Sequence, residues 1–242
     1  MLLCEQLERR FGGPAGEVAA LAGVSLRIDR GEFVVIKGPS GCGKSTLLLT
    51  MGGMQRPSRG NLLFLDQNLY EMPAARRNRV RSKHIGFVFQ LFHLIPYLTV
   101  RENILAGLPP GDSSRLPLER VDDLMSELGL GHRALHKPGS LSAGERQRTA
   151  LARALIKKPD VILADEPTGN LDPVNAAYVF RFLGEYHRSG GTVVVVTHGQ
   201  DAAGYASRTL HMASGRLSAD PPPPETSTTS GHDSTPTIAA KG

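Results

Sequence analysis

The stretch from Gly38 to Thr46 reads GPSGCGKST, and its first eight residues match the phosphate-binding pattern G-x-x-x-x-G-K-[ST]. In this pattern glycines let backbone N–H groups wrap around phosphate oxygens. Lys44 would reach the β- and γ-phosphates, and the Ser45 hydroxyl would bind Mg²⁺. Because an apolar strand-like run precedes the loop and an apolar helical stretch follows it, we interpret it as a phosphate loop rather than a chance glycine-rich turn. The residues expected to contact the bound molecule are Gly38, Pro39, Ser40, Gly41, Cys42, Gly43, Lys44, Ser45 and Thr46.

Two adjacent carboxylates, Asp165 and Glu166, end the apolar run VILADE at residues 161–166. Such a pair is often only a helix cap or a solvated turn. Beside a phosphate loop, however, Asp165 can hold Mg²⁺ through water and Glu166 can orient an attacking water molecule. The pair therefore predicts hydrolytic phosphate chemistry.

A second candidate anion site begins at Ser142, where SAGE precedes a basic helical stretch. The unpaired N–H groups and partial positive charge of a helix start favour anions. The same spacing of Ser142 and Glu145 is also a capping box, in which the two side chains satisfy those N–H groups. Spacing alone favours the cap, and the two roles are compatible. The residues by themselves do not decide between them.

The elements that must position these residues are predicted from hydrophobic patterning. Near-continuous apolar runs suit strands that are covered on both faces, as in a parallel sheet flanked by helices. Ligands bind at the carboxyl ends of such strands, so Lys44, Asp165, Glu166 and His198 are expected to converge at one edge. By contrast, VSLRID at 24–29 alternates like a half-buried strand. The continuous runs are FVVIKG at 33–38, VILADE at 161–166 and TVVVVTH at 192–198.

Residues 91 to about 156 are predicted to form a helical insert in this α/β core. Between residues 118 and 130 an apolar stripe at helical spacing indicates an amphipathic helix. Thr99 and Glu102 have the spacing of a capping box. From Pro221 onward the chain is rich in proline, serine and threonine, so we expect one domain at 1–219 and a disordered tail at 220–242. The stripe consists of Val121, Leu124, Met125 and Leu128.

Composition narrows the classes of function. The chain has 242 residues with a net charge of +5, no tryptophan and 5% aromatic residues, so it lacks the stacking residues of a single-strand nucleic-acid binder. Its two cysteines do not make a disulfide framework, which suggests a reducing compartment. We find neither a signal peptide nor an apolar run of the ~18 residues that span a bilayer. We therefore expect a cytoplasmic protein that reaches a membrane only through a partner.

The motifs GPSGCGKST, FVFQ, LSAGERQR, VILADEPTGNLD and VVVTH follow one another in an order that resembles the ATP-binding subunit of an ABC transporter over about residues 1–219. The resemblance implies a P-loop NTPase core with a mainly parallel sheet, N-terminal antiparallel strands and an inserted helical subdomain. It also implies a Mg²⁺-dependent ATPase that forms a head-to-tail dimer. Ser142, Ala143 and Gly144 would then close over the γ-phosphate of an ATP held by the partner's phosphate loop.

The resemblance implies roles for four further residues. Phe11 resembles the aromatic residue that stacks on adenine, although a phenylalanine near a chain start is often only a core or surface residue without a binding role. Gln90 resembles the glutamine that touches Mg²⁺ and the attacking water. His198 resembles the histidine that contacts the γ-phosphate, whereas a lone histidine at a strand end is more often structural. Asp172 ends the segment GNLD, which resembles the family loop that reaches across the dimer. Asp172 followed by Pro173 is equally a standard helix start.

Two positions depart from the family pattern. Ala143 stands where glycine is usual, so its methyl group is expected to crowd the γ-phosphate or restrict the backbone and slow turnover. Gly199 stands where aspartate often follows the histidine, so the contacts of that turn with its neighbours are expected to differ from the family pattern.

Within the family, the motifs are similar to lipoprotein-release and macrolide-export ATPases and to a related cell-division ATPase. This implies an integral membrane permease that docks near residues 90–100, where LFHLIPYLTV would line the docking groove or simply pack between subdomains. Export or lipid extraction is the first interpretation, with cell-division mechanotransduction and a soluble assembly ATPase as alternatives. A basic cluster either faces anionic lipid or is a solvated helix face. Its members are Arg76, Arg77, Arg79, Arg81 and Lys83.

Overall fold

The computed structural model describes residues 1–13, 16–109, 118–199 and 201–219. These residues form two sheets and the helices that cover them. In chain order the strands and helices are β1 Leu2–Gly13, β2 Gly16–Ile28, β3 Phe33–Lys37, α1 Lys44–Met51, β4 Arg59–Phe64, β5 Gln67–Asn68, α2 Ala74–His84, β6 Ile85–Phe89, α3 Val100–Leu105, α4 Leu118–Glu127, α5 Ala143–Leu155, β7 Val161–Asp165, α6 Pro173–Arg188, β8 Thr192–Thr197, β9 Arg208–Ala213 and β10 Arg216–Ser218. Short 3₁₀ turns lie at Gly131–Arg133, Pro138–Ser140 and Asp201–Tyr205.

The smaller sheet is antiparallel and has the strand order β2-β1-β4-β5. The larger sheet has the order β10-β9-β3-β8-β7-β6, and all its neighbouring pairs are parallel except β9 with β10. The predicted mixed α/β fold with an N-terminal antiparallel sheet is therefore confirmed. The alternating end of β2 behaves as expected, because Val24, Leu26 and Ile28 are buried while Ser25 and Arg27 are exposed.

The central parallel strands are buried on both faces, as their continuous apolar sequences predict. Val193 to Val196 in β8 are fully buried, and so are Val34 to Ile36 in β3. Side chains on one face of the sheet join a core with β1, β2 and α1, whereas those on the other face join a core with α3, α4, α5 and α6. Because these strands are parallel neighbours, the loops that follow them emerge at one edge.

Between residues 91 and 156 the described part of the chain contains α3, α4, α5 and two 3₁₀ turns. The predicted apolar stripe of α4 is buried and packs in the same core as Ile104 of α3 and Leu151 of α5. Thr99 and Glu102 form both bonds of the predicted capping box. In the described ranges, no helix has the length and apolar character needed to cross a membrane. The predicted tail at 220–242 lies outside the described residues.

Candidate functional site

The phosphate loop connects the end of β3 to the start of α1, and close packing requires glycine at two of its positions. A Cβ atom at Gly38 would lie 2.2 Å from the Met212 carbonyl oxygen. At Gly43, where φ is +110°, a Cβ atom would lie 2.1 Å from the Ala20 carbonyl oxygen. Gly43 is also the N-cap of α1 and offers no side chain to the first N–H groups of that helix. These N–H groups are thus left for an anionic ligand.

A cavity of about 490 Å³ opens in front of this loop. The ends of β3, β6, β7 and β8 all contribute to it, so the predicted convergence of Lys44, Asp165, Glu166 and His198 is confirmed. Ala20 of β2 also lines the cavity, and the sequence contained no signal for it. The lining residues are Ala20, Ser40, Gly41, Gly43, Lys44, Ser45, Thr46, Gln90, Asp165, Glu166 and His198.

Lys44 and Ser45 are already held in place within the chain. The Lys44 ammonium group donates to the carbonyl oxygens of Gly38 and Pro39, at 2.8 and 3.0 Å, and lies 3.8 Å from the Glu166 carboxylate. The Ser45 hydroxyl donates to Asp165 Oδ1 at 3.0 Å. Burial raises the pKa of Asp165 above its ordinary value, and the Ser45 hydrogen bond partly opposes that shift. The loop and the β7 carboxylate therefore form one connected polar cluster.

The Glu166 side chain has fixed hydrogen-bond partners from β8. Its Oε2 atom accepts from Thr197 Oγ1 at 2.9 Å and from the His198 backbone N–H at 3.3 Å. Its Oε1 atom lies 2.9 Å from His198 Nδ1. Glu166 itself has a positive φ of 44°, an uncommon conformation for a residue with a side chain. These hydrogen bonds hold the carboxylate at the wall of the cavity. Thr197 was not among the predicted site residues, although its hydroxyl lies at a strand end beside a predicted site histidine, and this position indicates a site residue.

Gln90 follows β6 directly and reaches the same cavity. The loop that follows Glu166 packs against it, because a Cβ atom at Gly169 would lie 2.7 Å from Gln90 Nε2. Asn170 Nδ2 also donates to the Gln90 backbone carbonyl at 3.2 Å. Gln90 is therefore in contact both with the cavity and with the loop that leads to Asp172.

The turn at Gly199 is held by a hydrogen bond within the chain, because the Gly199 backbone N–H donates to Thr197 Oγ1 at 3.0 Å. One threonine hydroxyl thus serves both Glu166 and the turn after His198.

The start of α5 is a complete capping box, as its spacing predicts. Ser142 Oγ accepts from the Glu145 N–H at 3.2 Å, and Glu145 Oε2 accepts from the Ser142 N–H at 2.8 Å. Arg133 Nε donates to the other carboxylate oxygen at 2.7 Å. The Ser142 N–H is the main cause that lowers the pKa of Glu145 to about 2, and Arg133 contributes. Among the described residues that line the cavity, none belongs to 142–145. The predicted phosphate role of Ser142, Ala143 and Gly144 stays a prediction.

An asparagine ties the start of α5 to the loop that carries Asp172. Arg148 donates to Asn175 Oδ1 at 2.8 Å, and Asn175 Nδ2 donates to Asp172 Oδ2 at 2.6 Å. A Cβ atom at Gly144 would lie 2.2 Å from Asn175 Oδ1, so a larger residue there would have to displace the Asn175 side chain from these bonds. Asp172 also accepts from the Asn175 N–H as the cap of α6, with Pro173 in the first turn, as predicted. The role of Asn175 was missed, although its position three residues after a cap was a weak signal.

Phe11 lies near the end of β1, opposite Val18. Its side chain is 39% exposed, and the Arg9 guanidinium lies 4.7 Å from its ring centroid. Phe11 is not among the residues that line the cavity, and its predicted contact with adenine stays a prediction.

Comparison with known proteins places this geometry in context. Residues 21–169 match the family model described as ABC transporter. A dimeric structure of a post-hydrolysis state of the ATP-binding cassette MJ0796, bound to ADP and Pi, shares 33% sequence identity with the chain. The match covers 90% of this chain and 96% of that one, with a TM-score of 0.82. A second dimeric structure, described as MJ0796, a bacterial ABC transporter cassette, has the same identity, coverage and TM-score.

Proposed function

The chain belongs to the ABC transporter family and is an ATPase of that family, and we propose that two copies bind two ATP molecules between them to drive a separate membrane protein. One observation carries the dimeric arrangement. The phosphate-loop cavity contains Lys44, Glu166 and His198, whereas the start of α5 at Ser142 is not part of it. A second chain in head-to-tail orientation would supply its own α5 start to this cavity. The two MJ0796 structures are dimeric, which supports the formation of a dimer by this chain.

In this proposal Glu166 orients the attacking water and accepts its proton. Thr197 and His198 hold the carboxylate, so it needs little reorganisation at the moment of reaction. Lys44 and the N–H groups at the start of α1 neutralise charge on the phosphates. His198 contacts Glu166 through Nδ1, and its side chain is 69% exposed, so the other side of the ring is accessible to the γ-phosphate. The phosphate-loop residues, Gln90 and Asp172 keep the roles predicted from the sequence.

The residues around Ser45 fit a magnesium ion. A hydroxyl, a carboxylate and an amide oxygen are offered by Ser45, Asp165 and Gln90, and Mg²⁺ prefers oxygen ligands and shares them with waters and phosphates. In the described ranges, no group of three or more acidic, histidine or cysteine side chains is placed to hold a metal ion. We therefore propose that water and phosphate oxygens complete the coordination of Mg²⁺. When bound with ATP, Mg²⁺ would neutralise the phosphate oxygens.

A groove of about 460 Å³ supports the docking of a membrane permease near residues 90–100. Among the described residues, its wall combines aromatic side chains from β6 with three cations and no carboxylate, which suits an apolar segment that carries an acidic group. Leu91 and Tyr97 are 68% and 72% exposed and offer further apolar contact. The lining residues are Arg81, Ser82, Ile85, Phe87, Phe89, His93, Ala106, Gly107, Leu108, Arg153, Ala154 and Lys157.

The backbone of this docking segment is held by two side chains. Asn103 is fully buried, and its side-chain amide bonds Ile95, Leu98 and Thr99. Arg153 donates to the carbonyl oxygens of Phe92 and His93, at 2.7 and 2.6 Å. Because α5 carries Arg153 at one end and the Ser142 cap at the other, the groove and the candidate γ-phosphate contact share one rigid helix. This link supports coupling between a membrane partner and ATP.

Replacing Tyr97 by aspartate is expected to abolish co-purification of the membrane partner from detergent-solubilised membranes. The substitution places a charge in the exposed apolar part of the docking segment, where its desolvation opposes binding. Leu135→Asp is the matched control, because Leu135 is an apolar residue 80% exposed elsewhere on the helical region. It should keep the partner. Equal recovery of the partner with both variants would argue against docking at this segment.

The identity of the protein recovered in this experiment also decides between the finer functions. A permease with large extracytoplasmic parts and a transported substrate would support export or lipoprotein release at the cytoplasmic face of the membrane. A division protein that transports nothing would support the mechanotransducer. The docking groove favours both of these over a soluble assembly ATPase.

Alkylation of Cys42 is expected to block ATP binding. Cys42 is 7% exposed inside the phosphate loop, and its Sγ atom is 2.8 Å from the position that a Gly38 Cβ would take. An adduct would therefore distort or fill the loop. Burial raises the pKa of Cys4 to about 12, so Cys4 should remain unlabelled. The measurement is iodoacetamide labelling by mass spectrometry followed by an ATP-binding titration, with MgATP slowing the labelling. Normal ATP affinity of protein labelled at Cys42 would refute the expected placement of the nucleotide.

A further inference from the structure

Helix α2 carries five arginine and lysine side chains and no acidic residue. Arg76, Arg79 and Lys83 are spaced at i, i+3 and i+7, so they lie along one face of the helix. We call these three residues the basic stripe. They border a surface groove whose lining contains no carboxylate among the described residues. Its other lining residues are Gln67, Pro73, Ala75, Val80 and His84.

The basic stripe contributes little to the stability of the folded chain. Arg76 donates to Gln67 Oε1 at 3.0 Å, but Arg79 and Lys83 make no side-chain hydrogen bond or ion pair with any residue that the structure describes. Like charges four residues apart, as in Arg79 and Lys83, destabilise a helix. Arg76 also lies near the start of α2, where the helix dipole disfavours cations and the first turn has no acid. An anionic partner would offset these unfavourable terms.

The position of α2 indicates which partner is near. Arg81 and Ser82, from another face of the same helix, line the docking groove together with Lys157. The helix therefore stands at the rim of the groove proposed for a membrane protein. This step rests on the proposed function, because the membrane-facing side of the chain is assigned through that groove. On that side the nearest large anionic surface is the lipid leaflet around the partner.

We propose that the basic stripe binds the anionic headgroups of the leaflet in which the membrane partner sits. Its three cations are all exposed, and they extend from a helix with no buried residue. The attraction is electrostatic and falls off within a Debye length, so it requires close approach. A single-stranded nucleic acid is a poorer match, because the described residues of the groove include His84 but no Phe, Tyr or Trp for base stacking.

The test is sedimentation of the full chain with lipid vesicles at low salt. Vesicles of phosphatidylcholine mixed with phosphatidylglycerol should bind the protein, whereas vesicles of phosphatidylcholine alone should not. The triple variant Arg76→Ala, Arg79→Ala, Lys83→Ala should lower the partition coefficient by about 10²-fold, because each cation at an anionic leaflet strengthens binding roughly fivefold. Alanine favours helix, so α2 should still form.

The control triple is Arg59→Ala, Arg188→Ala, Arg216→Ala, which removes the same charge from exposed positions elsewhere. It should keep most of the binding. Equal loss in both triples would overturn the proposal, because net charge alone would then explain the attraction. Displacement by inorganic phosphate beyond that by chloride of equal ionic strength would overturn it in favour of a free-phosphate site. Binding of duplex DNA through the stripe without vesicle binding would do so in favour of nucleic acid.

ATP hydrolysis measured in the same preparations separates this proposal from the proposed function. The stripe triple should hydrolyse ATP normally, since its residues are outside the cavity. Absence of vesicle binding with normal hydrolysis would overturn the lipid contact alone and leave the ATPase assignment standing.

Discussion

Replacing Glu166 by glutamine is expected to lower the rate of ATP hydrolysis by about 10²–10⁴-fold while ATP binding remains intact. Glutamine has nearly the same shape, and its amide oxygen can still accept from Thr197 or His198. It cannot accept a proton from water. The phosphate loop is unchanged, so the nucleotide should bind with ordinary affinity. Phosphate release and a titration with fluorescent ATP measure the two quantities separately.

Two further variants make this result specific. Lys44→Ala should lose both binding and hydrolysis, because it removes the ammonium group expected to meet the β- and γ-phosphates. Glu185→Gln, at a carboxylate 47% exposed on α6, should change neither quantity. With hydrolysis blocked, the Glu166→Gln protein should also accumulate as a dimer in ATP but not in ADP, as light scattering would show. Hydrolysis at the normal rate by Glu166→Gln would refute the assigned role.

The sequence predicted those parts of the site whose residues are neighbours in the chain or follow buried strands. The loop GPSGCGKST carries its own chemistry, and the continuous apolar runs of β3, β7 and β8 predicted a parallel sheet. Since parallel strands bring their ends to one edge, the sequence alone predicts that Lys44, Asp165, Glu166 and His198 lie together. The capping boxes at Thr99 and Ser142 were predictable for the same reason, because each involves four consecutive residues.

The missed features depend on contacts between distant segments. Ala20 enters the cavity because the antiparallel sheet folds its carbonyl oxygen onto Gly43, which no local pattern encodes. Phe92 and His93 both have positive φ angles, which residues with side chains rarely adopt. Their carbonyl oxygens are held by Arg153, sixty or more residues away. Tertiary hydrogen bonds of this kind override local preference and are invisible to spacing rules.

The capping box at Ser142 was predicted and is present, yet it leaves the second role of this helix start untested. The cap needs only residues of its own chain, whereas the phosphate contact needs a partner chain. Ser142 is exposed, so a larger side chain can be accommodated in the folded monomer. Two substitutions separate the roles. Aspartate is as good a cap as serine but repels phosphate, whereas arginine removes the cap and obstructs closure.

Ser142→Asp and Ser142→Arg are both expected to bind ATP with the intact phosphate loop of their own chain and to lose dimerisation and hydrolysis. If Ser142 were only a cap, Ser142→Asp would be nearly normal, and Ser142→Arg would lose about 1 kcal/mol of stability. Melting temperature, ATP affinity and phosphate release distinguish these outcomes. Normal hydrolysis by Ser142→Asp would return Ser142 to a purely structural role.

Mixing Ser142→Arg with Lys44→Ala is expected to restore ATP hydrolysis that neither protein shows alone. In the mixed dimer, the intact phosphate loop of the first chain faces the intact α5 start of the second. The other site combines the two damaged halves. Activity should therefore rise with the fraction of mixed dimers, provided that one intact site suffices. A cap acts only within its own chain, so a purely structural role of Ser142 predicts no such rescue.

Mixing Ser142→Arg with Glu166→Gln, whose phosphate loop and α5 start are both intact, should restore activity by the same route. Mixing Ser142→Arg with Ser142→Asp should restore none, because both α5 starts are then damaged. Recovery in that last mixture would contradict the trans arrangement.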